Sequence, residues 1–381
     1  MLAEIKFNLG TRKPEPDNAG VGIELGSYLF ILPQTCAAQD HGERPVKFAL
    51  TTLALATVTS FSALAADSTL AANSTLTVYT YDSFAADWGP RPAVEKAFEA
   101  QCGCDVNFVA LEDGVSILNR LRLEGGNSKA DIILGLDNNL MAEAKKTGLL
   151  AEHKVDTSAV TLPNGWSDNT FVPFDFGYFA FVYNKEKLEN PPKSLKELVE
   201  QRDDLKVIYQ DPRTSTPGQG LMLWMKSVYG DDTTQAWKQL AKKTVTVTKG
   251  WSEAYSMFLE GESDLVLSYT TSPAYHIIAE SDSKYAAANF AEGHYTQVEV
   301  AAKVKGSKNE KLADEFMQFI LSDGFQSAMP TGNWMYPVTG VKLPEGFEAL
   351  TVPSNALSFS SDEVAENRKT WIREWQSALT F

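Results

Sequence analysis

The sequence predicts an α/β protein built from two lobes. Segments with the apolar or alternating pattern of β-strands recur along the chain, and most are followed by a segment with helical periodicity. This alternation favours sheets of mostly parallel strands that helices cover. The chain has 381 residues, and the pattern runs through about 300 of them, a length that suits two lobes around one cleft.

Strand and helix patterns follow one another from residue 76 onward. Strand patterns occupy 76–81, 105–111, 130–136, 173–184, 206–211, 244–248, 264–269 and 297–304. Helix patterns occupy 93–101, 115–122, 140–147, 217–229, 252–260, 273–280, 312–321 and 363–379. Pro92 suits a first helical turn, Ser194 and Glu197 form a capping box that opens a further helix, and Gly148 can end one.

Residues 46–65 have the features of a secretory signal peptide. Lys47 precedes an uncharged apolar segment at 48–60, which is shorter than the roughly 20 residues that a membrane span needs. Ala63-Leu64-Ala65 follows with the small residues that signal peptidase prefers, so we expect cleavage near Ala65. We interpret Val46 as the translation start and residues 1–45 as mis-assigned; the alternative is a disordered N-terminal extension.

Composition and charge exclude several classes of protein. The formal net charge is −15, and it remains −14 without residues 1–65, which hold five basic and six acidic residues. This balance argues against a nucleic-acid binder and mildly favours a cationic ligand. Three Cys and four His make a metal centre improbable. After export, Cys102 and Cys104 could form a local disulfide that adds little stability.

Aromatic, hydroxyl and glycine residues gather where the predicted strands end. Ligands of open α/β sheets bind beyond the carboxyl ends of the strands, so these residues are candidates for a binding site. The candidates are Tyr81, Trp88, Asp113, Gly114, Ser215, Thr216, Trp251, Tyr269, Thr270, Thr271, Ser272, Tyr275 and Trp334.

These residue types suit a ligand that carries both an anion and a cationic ring. Thr216 precedes Pro217 and is expected to cap a helix beside Ser215, and free N–H groups and hydroxyls at a helix start bind phosphate. Plain helix capping is the alternative. The aromatic residues can line a cationic ring at about 0.5–2 kcal/mol per contact, or simply pack in the core. Asp113 can offset a positive charge or accept a hydrogen bond from an amino group.

Enzyme signatures are weak. The sequence has no Gly-x-Ser-x-Gly elbow, no phosphate-binding loop of the Gly-x-x-x-x-Gly-Lys type and no His-Glu-x-x-His motif. Asp82, Asp113 and Asp175 could be paired as acid and base, but the sequence sets no distance between them. We therefore expect a binding protein that is not an enzyme and holds neither a metal nor a cofactor.

Seven long segments closely resemble the periplasmic thiamine-binding proteins of bacterial ABC importers. The resemblance runs from Leu76 to about Trp375 and leaves residues 1–65 outside. The segments are LTVYTYDSFAADWGP (76–90), ALEDGVSILNRLRLEG (110–125), ADIILGLDNNL (130–140), VIYQDPRTSTPGQGL (207–221), VTVTKGWSEAY (245–255), DLVLSYTTSPAYH (264–276) and PTGNWMYPV (330–338).

The resemblance implies a bilobal type 2 periplasmic binding protein fold, with two mixed sheets flanked by helices and two hinge crossovers. Lobe 1 would comprise 76–172 and 298–381, and lobe 2 would comprise 173–297. The implied ligands are thiamine, thiamine monophosphate and thiamine diphosphate. The implied partner is an ABC permease at the inner membrane, to which a monomer in the periplasm delivers its ligand, with no role for nucleic acid.

The resemblance also assigns roles to the candidate residues. It implies that Asp113-Gly114 and Ser215-Thr216 meet the phosphate, that Tyr275 and Trp334 pack on the thiazolium, and that Tyr81 lies near the other ring. Trp251 and Tyr269 to Ser272 match pocket positions, and Trp88 is an addition from its place near a strand end. Two alternatives remain: a ferric-ion or other solute receptor of the same fold, and a secreted phosphate-ester hydrolase that uses Ser215.

Overall fold

Among the residues that the structure describes, twelve strands and twelve α-helices position the site. A computed structural model describes residues 74–162 and 165–379, so the predicted signal peptide and translation start lie outside the described residues. The strands are β1 Thr75–Tyr81, β2 Asp105–Leu111, β3 Ile132–Asp137, β4 Leu150–Ala151, β5 Phe171–Asn184, β6 Val207–Gln210, β7 Thr244–Thr248, β8 Leu265–Tyr269, β9 Tyr285–Ala287, β10 His294–Val304, β11 Tyr336–Pro337 and β12 Ala356–Leu357.

The helices follow the predicted strand–helix alternation. They are α1 Asp82–Ala85, α2 Arg91–Cys102, α3 Gly114–Glu124, α4 Met141–Lys145, α5 Leu195–Glu200, α6 Thr216–Tyr229, α7 Thr233–Ala241, α8 Trp251–Leu259, α9 Pro273–Ala279, α10 Glu310–Phe319, α11 Asp323–Gln326 and α12 Ser361–Leu379. Within the described ranges, none of these helices is long and apolar enough to cross a membrane.

Eight of the described strands form one hydrogen-bonded path, β2-β1-β3-β10-β5-β8-β6-β7, while β4 and β12 pair with β10 and β9 and β11 pair with β5. The outer strands are parallel as predicted: β1 pairs with β2 and β3, and β6 pairs with β7 and β8. The central strands are antiparallel, which the alternation alone did not predict, because β10 runs against β3 and β5 while β5 runs against β8.

Strand β5 belongs to both halves of this path. Its first part, up to Tyr178, pairs with β10, and its second part, from Phe179, pairs with β8. Its 14 residues make it more than twice the length of an average strand, which is why one strand can serve both sheets. Together with the 11 residues of β10, β5 provides the two long strands that cross from one half to the other.

The described residues form four hydrophobic clusters, and the two largest of them are the cores of the two halves. The first core includes Leu76, Leu118, Phe174 and Phe316, and the second includes Phe181, Trp224 and Leu267. The C-terminal helix α12 buries Val364, Trp371, Trp375 and Ala378 in the second core. Helix α12, which the resemblance places in lobe 1 with the rest of 298–381, thus packs its tryptophans in the second core, and the lobe boundaries stay a prediction.

Local predictions at helix ends have mixed outcomes. Ser194 caps α5 by accepting a hydrogen bond from the Glu197 N–H at 2.9 Å, as the capping box predicts. The Glu197 carboxylate, however, accepts from the N–H of Lys193 rather than that of Ser194. Cys102 and Cys104 are joined by a disulfide between the end of α2 and the start of β2.

Candidate ligand-binding site

Three helix N-termini meet at the carboxylate of Asp113, which lies two residues after the end of β2. Its Oδ1 accepts hydrogen bonds from the backbone N–H of Gly114 at 2.7 Å and of Thr216 at 3.1 Å, the first residues of α3 and α6. Its Oδ2 accepts from the Ser215 hydroxyl at 2.7 Å and from the N–H of Trp251, the first residue of α8, at 3.2 Å. An anionic group thus occupies the place where the sequence predicts anion binding.

Two effects of opposite sign act on the charged form of Asp113: burial disfavours it and hydrogen bonds favour it. Burial raises the pKa of Asp113 to about 6, although hydrogen bonds from Ser215, Gly114 and Thr216 favour the charged form. Helix N-termini carry partial positive charge, so the carboxylate is matched to this position. A group with this pKa changes protonation readily when a second anion approaches.

Ser215, and not Thr216, is the N-cap of α6. Ser215 has extended backbone dihedrals, and its hydroxyl accepts a hydrogen bond from the Gly218 N–H at 3.4 Å. The expected cap at Thr216 was wrong because Pro217 is tolerated at the second helical position as well as the first. Thr216 is therefore inside the first turn, buried, and its hydroxyl makes no hydrogen bond within the described residues.

Gly114 allows α3 and α6 to approach each other closely. A Cβ added at Gly114 would lie 2.2 Å from Oγ1 of Thr216 and 2.3 Å from the carbonyl oxygen of Gly135. Neither distance is physically allowed, so any larger residue would push the two elements apart. The close approach of these atoms explains why a glycine occupies position 114.

Further contacts join the same two halves around Asp113. The N–H and the hydroxyl of Ser116 on α3 both donate to the carbonyl of Thr214 at 3.2 Å. The hydroxyl of Ser252 on α8 donates to the Asp82 carboxylate at 3.1 Å. The first core's elements α1 and α3 are thus hydrogen-bonded to the starts of α6 and α8.

Trp251 and the segment Tyr269–Ser272 are organised by a chain of hydroxyls. The Trp251 indole N–H donates to Ser268 Oγ at 2.7 Å, and Ser268 Oγ lies 2.6 Å from Ser272 Oγ. Ser272 Oγ also accepts from the Tyr269 N–H at 3.1 Å. Ser272 therefore acts as a support that fixes Trp251 and the end of β8.

Thr270 and Thr271, which follow β8, are buried, and Tyr269 is the last residue of that strand. Thr270 donates its N–H to the Tyr178 carbonyl at 2.9 Å, and Thr271 Oγ1 contacts Met335 Sδ at 3.7 Å. The Tyr269 hydroxyl donates to Gln297 on β10 at 3.0 Å. Through this hydrogen bond, Tyr269 links the end of β8 to β10.

Tyr275 and Trp334 form an aromatic pair. Their ring centroids lie 5.4 Å apart with planes at 78°, an edge-to-face arrangement. Trp334 follows a π-helical turn at Met329–Asn333 and has a φ of 56°, in the left-handed region that a bulky residue rarely adopts. Such strain concentrates at functional positions. Trp88, with 43% of its surface exposed, lies between α1 and α2, and its place in the site stays a prediction.

Tyr81 lies over a glycine and is hydrogen-bonded to Glu299, an acidic residue that the sequence did not single out, next to Asp175, which it did. A Cβ at Gly135, whose φ is 110°, would come within 2.4 Å of the Tyr81 ring. The Tyr81 hydroxyl donates to Glu299 at 2.7 Å. Asn333 donates to the Tyr81 oxygen at 2.8 Å and to Asp175 at 2.6 Å. Glu299 lies inside the predicted strand 297–304, away from the strand ends where the candidate residues were sought.

The structure gives the three aspartates separate settings. Asp82 accepts from Ser252, Asp113 caps the helix starts, and Asp175 accepts from Asn333. The Ser215 hydroxyl donates its hydrogen bond to Asp113, and this bond belongs to the helix-capping arrangement around that carboxylate. In the part of the chain that the structure describes, no group of three or more His, Cys, Asp or Glu residues could hold a metal ion.

Known proteins of similar sequence match nearly the whole described chain. The profile of the bacterial extracellular solute-binding protein family matches residues 83–327. The thiamine-binding periplasmic protein of Escherichia coli K12 is 68% identical over 305 residues, which are 80% of this chain and 93% of that protein. The thiamine-binding periplasmic protein of Brucella suis is 50% identical over 330 residues, 86% of this chain and 99% of that protein.

This chain belongs to the family of thiamine-binding periplasmic proteins. A solved periplasmic thiamin binding protein superposes with a TM-score of 0.80 at 67% identity, over 81% of this chain and 97% of that one. The fold is the bilobal type 2 periplasmic binding protein fold, and the family acts in periplasmic solute transport rather than in catalysis. A ferric binding protein from Campylobacter jejuni, at 20% identity and a TM-score of 0.67, shares the fold alone.

Proposed function

We propose that this member of the thiamine-binding periplasmic protein family binds thiamine and its mono- and diphosphate between its two lobes. The observation that carries the proposal is the meeting of three helix N-termini at Asp113, in a protein whose aromatic pair Tyr275–Trp334 also follows strand ends. One end of such a site favours anions and the other favours a flat cation. Thiamine phosphates carry both groups, and relatives at 50–68% identity are named for thiamine.

The thiazolium ring is assigned to Tyr275 and Trp334. A cation over an aromatic face gains about 0.5–2 kcal/mol when water is excluded. Trp334 has a left-handed backbone, and its indole lies edge-to-face against the Tyr275 ring. Tyr81, held between Gly135 and Glu299, is assigned to the second ring of thiamine.

The phosphate is assigned to the starts of α3, α6 and α8. The donors there are the N–H groups of Gly114, Thr216 and Trp251 and the hydroxyl of Ser215, which all bond to Asp113 in the structure. A phosphate at this place raises the pKa of Asp113 further, because like charges repel. The protonated carboxyl then donates a hydrogen bond to the phosphate instead of competing with it.

We infer that the two lobes close on the ligand and that the closed protein delivers it to a permease. We assign lobe 1 to 76–172 with the part of 298–381 that precedes α12, and lobe 2 to 173–297, with β5 and β10 as the hinge strands. The hydrogen bonds of Ser116 with Thr214 and of Ser252 with Asp82 hold the two lobes together in the closed form, and ligand binding stabilises this form. The closed monomer is the form that an ABC permease at the inner membrane recognises.

Intrinsic fluorescence titration tests the proposed ligands. Separate titrations with thiamine, thiamine monophosphate, thiamine diphosphate and Fe(III) use the tryptophans of the site as reporters. We expect saturable quenching by all three thiamine compounds at micromolar or lower concentration and none by Fe(III). No response to thiamine at micromolar concentration overturns the proposal, and a response to Fe(III) alone favours the metal receptor.

A further inference from the structure

Asp175 and Glu299 face each other on the two strands that cross between the halves. They are directly opposite in the antiparallel register of β5 and β10. Asp175 is fully buried and Glu299 has 5% of its surface exposed. The pairing register shifts on both edges of β10 just after Glu299, between Glu299 and Val300 toward β5 and between Val300 and Ala301 toward β3. Such bulges re-aim side chains next to binding sites.

The hydrogen bonds that the structure gives this pair come from uncharged groups. Tyr81 donates to Glu299, and the Asn333 amide nitrogen lies 2.6 Å from Asp175 Oδ2 and 3.1 Å from Glu299 Oε2. Asp175 Oδ1 is buried and has no hydrogen-bond partner within the described residues. The pair therefore has more acceptor oxygens than donors, and one oxygen is left for a proton or for a ligand.

Two buried carboxylates in contact cannot both ionise at modest cost. Burial raises the pKa of Asp175 to about 7, and burial together with the charge of Asp175 raises that of Glu299 well above its ordinary range. The other titratable groups that act on the pair or flank it are acidic or phenolic: Tyr81 on β1, Asp137 on β3, Asp113 at the start of α3 and Tyr269 on β8. These neighbours bring no positive charge of their own.

We propose that Asp175 and Glu299 are the counter-charge for a cationic ligand: the pair keeps a shared proton while the site is empty and releases it to solvent when the cation binds. The proposal rests on the proposed function, since thiamine supplies the cation. No covalent bond forms or breaks except the O–H bond of the pair, whose proton goes to water or buffer. The released proton leaves a second negative charge beneath the ligand.

The pair connects to the cation's proposed position through two neighbours. Asn333 donates to Asp175 and immediately precedes Trp334, and Tyr81 donates to Glu299. Asp175 and Glu299 are thus positioning residues that act through Tyr81 and Asn333, and their electrostatic effect extends to the thiazolium site. A net positive ligand lowers the pKa of both carboxyls, which is the physical cause of proton release.

Calorimetric titration with thiamine in two buffers of different ionisation enthalpy measures the proton release directly. We expect about half to one proton released per thiamine at pH 7, and an affinity that falls by up to about tenfold per pH unit as the pH drops from 8 to 6. A thiamine analogue with an uncharged ring in place of the thiazolium keeps the aminopyrimidine and is expected to bind without this release.

Isosteric amide variants assign the proton to the pair. The double variant D175N/E299Q is expected to bind thiamine about tenfold more weakly than the parent at pH 8, with the two affinities converging near pH 6. The single variants D175N and E299Q are expected to show intermediate release and serve if the double variant does not fold. Asp113→Asn, which alters the other buried carboxylate of the site, is expected to keep the release with thiamine.

The possible outcomes separate the two proposals. Thiamine binding without proton release at pH 6–8, or release that persists unchanged in the folded amide variants, overturns this inference and leaves the proposed function standing. Proton release that disappears in Asp113→Asn but persists in D175N, E299Q and the double variant also overturns this inference. Absence of thiamine binding by the parent protein contradicts the proposed function itself.

Discussion

The Ser215 hydroxyl donates a 2.7 Å hydrogen bond to the carboxylate of Asp113, 102 residues earlier in the chain. Asp113 begins α3 beside the first core and Ser215 caps α6 beside the second, so this bond ties the two halves together at the proposed phosphate position. Ser215 thus caps a helix and also contacts an anion, whereas Ser194 only caps a helix and serves for comparison.

Replacing Ser215 by Ala is expected to weaken thiamine mono- and diphosphate more than thiamine. The change removes a hydroxyl donor from the anion end and also the N-cap, which costs about 1 kcal/mol of stability. Ser194→Ala is the matched control, because Ser194 caps α5 in the same way through the Glu197 N–H. Titration fluorescence and thermal melts of both variants check this. Equal losses for all three thiamine compounds in Ser215→Ala would count against the phosphate role.

Replacing Trp334 by Ala is expected to weaken all three thiamine compounds by about three- to thirtyfold, the equivalent of losing one desolvated cation–π contact. The thiazolium is common to the three ligands, so their losses should be similar. Trp88→Ala is the informative comparison, because Trp88 is also a predicted site residue but is 43% exposed. A Trp334→Ala protein that binds with parental affinity would remove Trp334 from the site.

Replacing Gly114 by Ala is expected to weaken ligand binding by tenfold or more. The new Cβ would lie 2.2 Å from Thr216 Oγ1 and 2.3 Å from the Gly135 carbonyl, so α3 and α6 could not approach as they do. Overpacking of this kind typically costs about 1–3 kcal/mol. Gly126→Ala is the control, since a Cβ there meets nothing within 4 Å. Unchanged affinity of folded Gly114→Ala for thiamine diphosphate would show that this close approach is not needed.

Replacing Asp175 by Asn is expected to stabilise the ligand-free protein increasingly as pH rises from 6 to 8. The folded-state pKa of Asp175 is about 7, above its ordinary 3.8. A carboxyl with a raised pKa stabilises the fold fully below its unfolded pKa, and this contribution is lost as pH rises through the folded pKa. Denaturant unfolding of both proteins at several pH values gives the difference.

The difference in free energy of unfolding between D175N and the parent isolates Asp175, because other groups also titrate in this pH range. Burial lowers the pKa of His276 and His294, so these residues favour the fold as pH rises, in the opposite direction to Asp175. Their contribution cancels when D175N is compared with the parent at each pH. A stability difference that is constant from pH 6 to 8 would show that Asp175 does not titrate in this range.

Much of the fold could be predicted from the sequence because its local signals agree with the structure. Alternation at 76–81, the apolar run at 130–136 and Pro217 near a helix start all depend on neighbours in the chain. The antiparallel centre depends on which strands meet, and no local pattern specifies that β10 lies between β3 and β5. The packing of α12 against the second core is long-range for the same reason.

The candidate site was predicted at its strand ends and missed within its strands. Asp113, Ser215 and Trp251 follow strands, and the structure brings them together by direct hydrogen bonds. Glu299 lies inside β10 and Asn333 in a turn, so the strand-end rule could not select them. Their contact with Tyr81 depends on two bulges and on Gly135, features that only the paired strands reveal.

Isothermal titration of the purified mature protein with thiamine measures the proposed binding itself. We expect saturable binding of one thiamine per chain at micromolar or tighter affinity, weakened about three- to thirtyfold in Trp334→Ala. A folded protein that shows no heat of binding across buffers and no fluorescence change with thiamine at these concentrations would contradict the account.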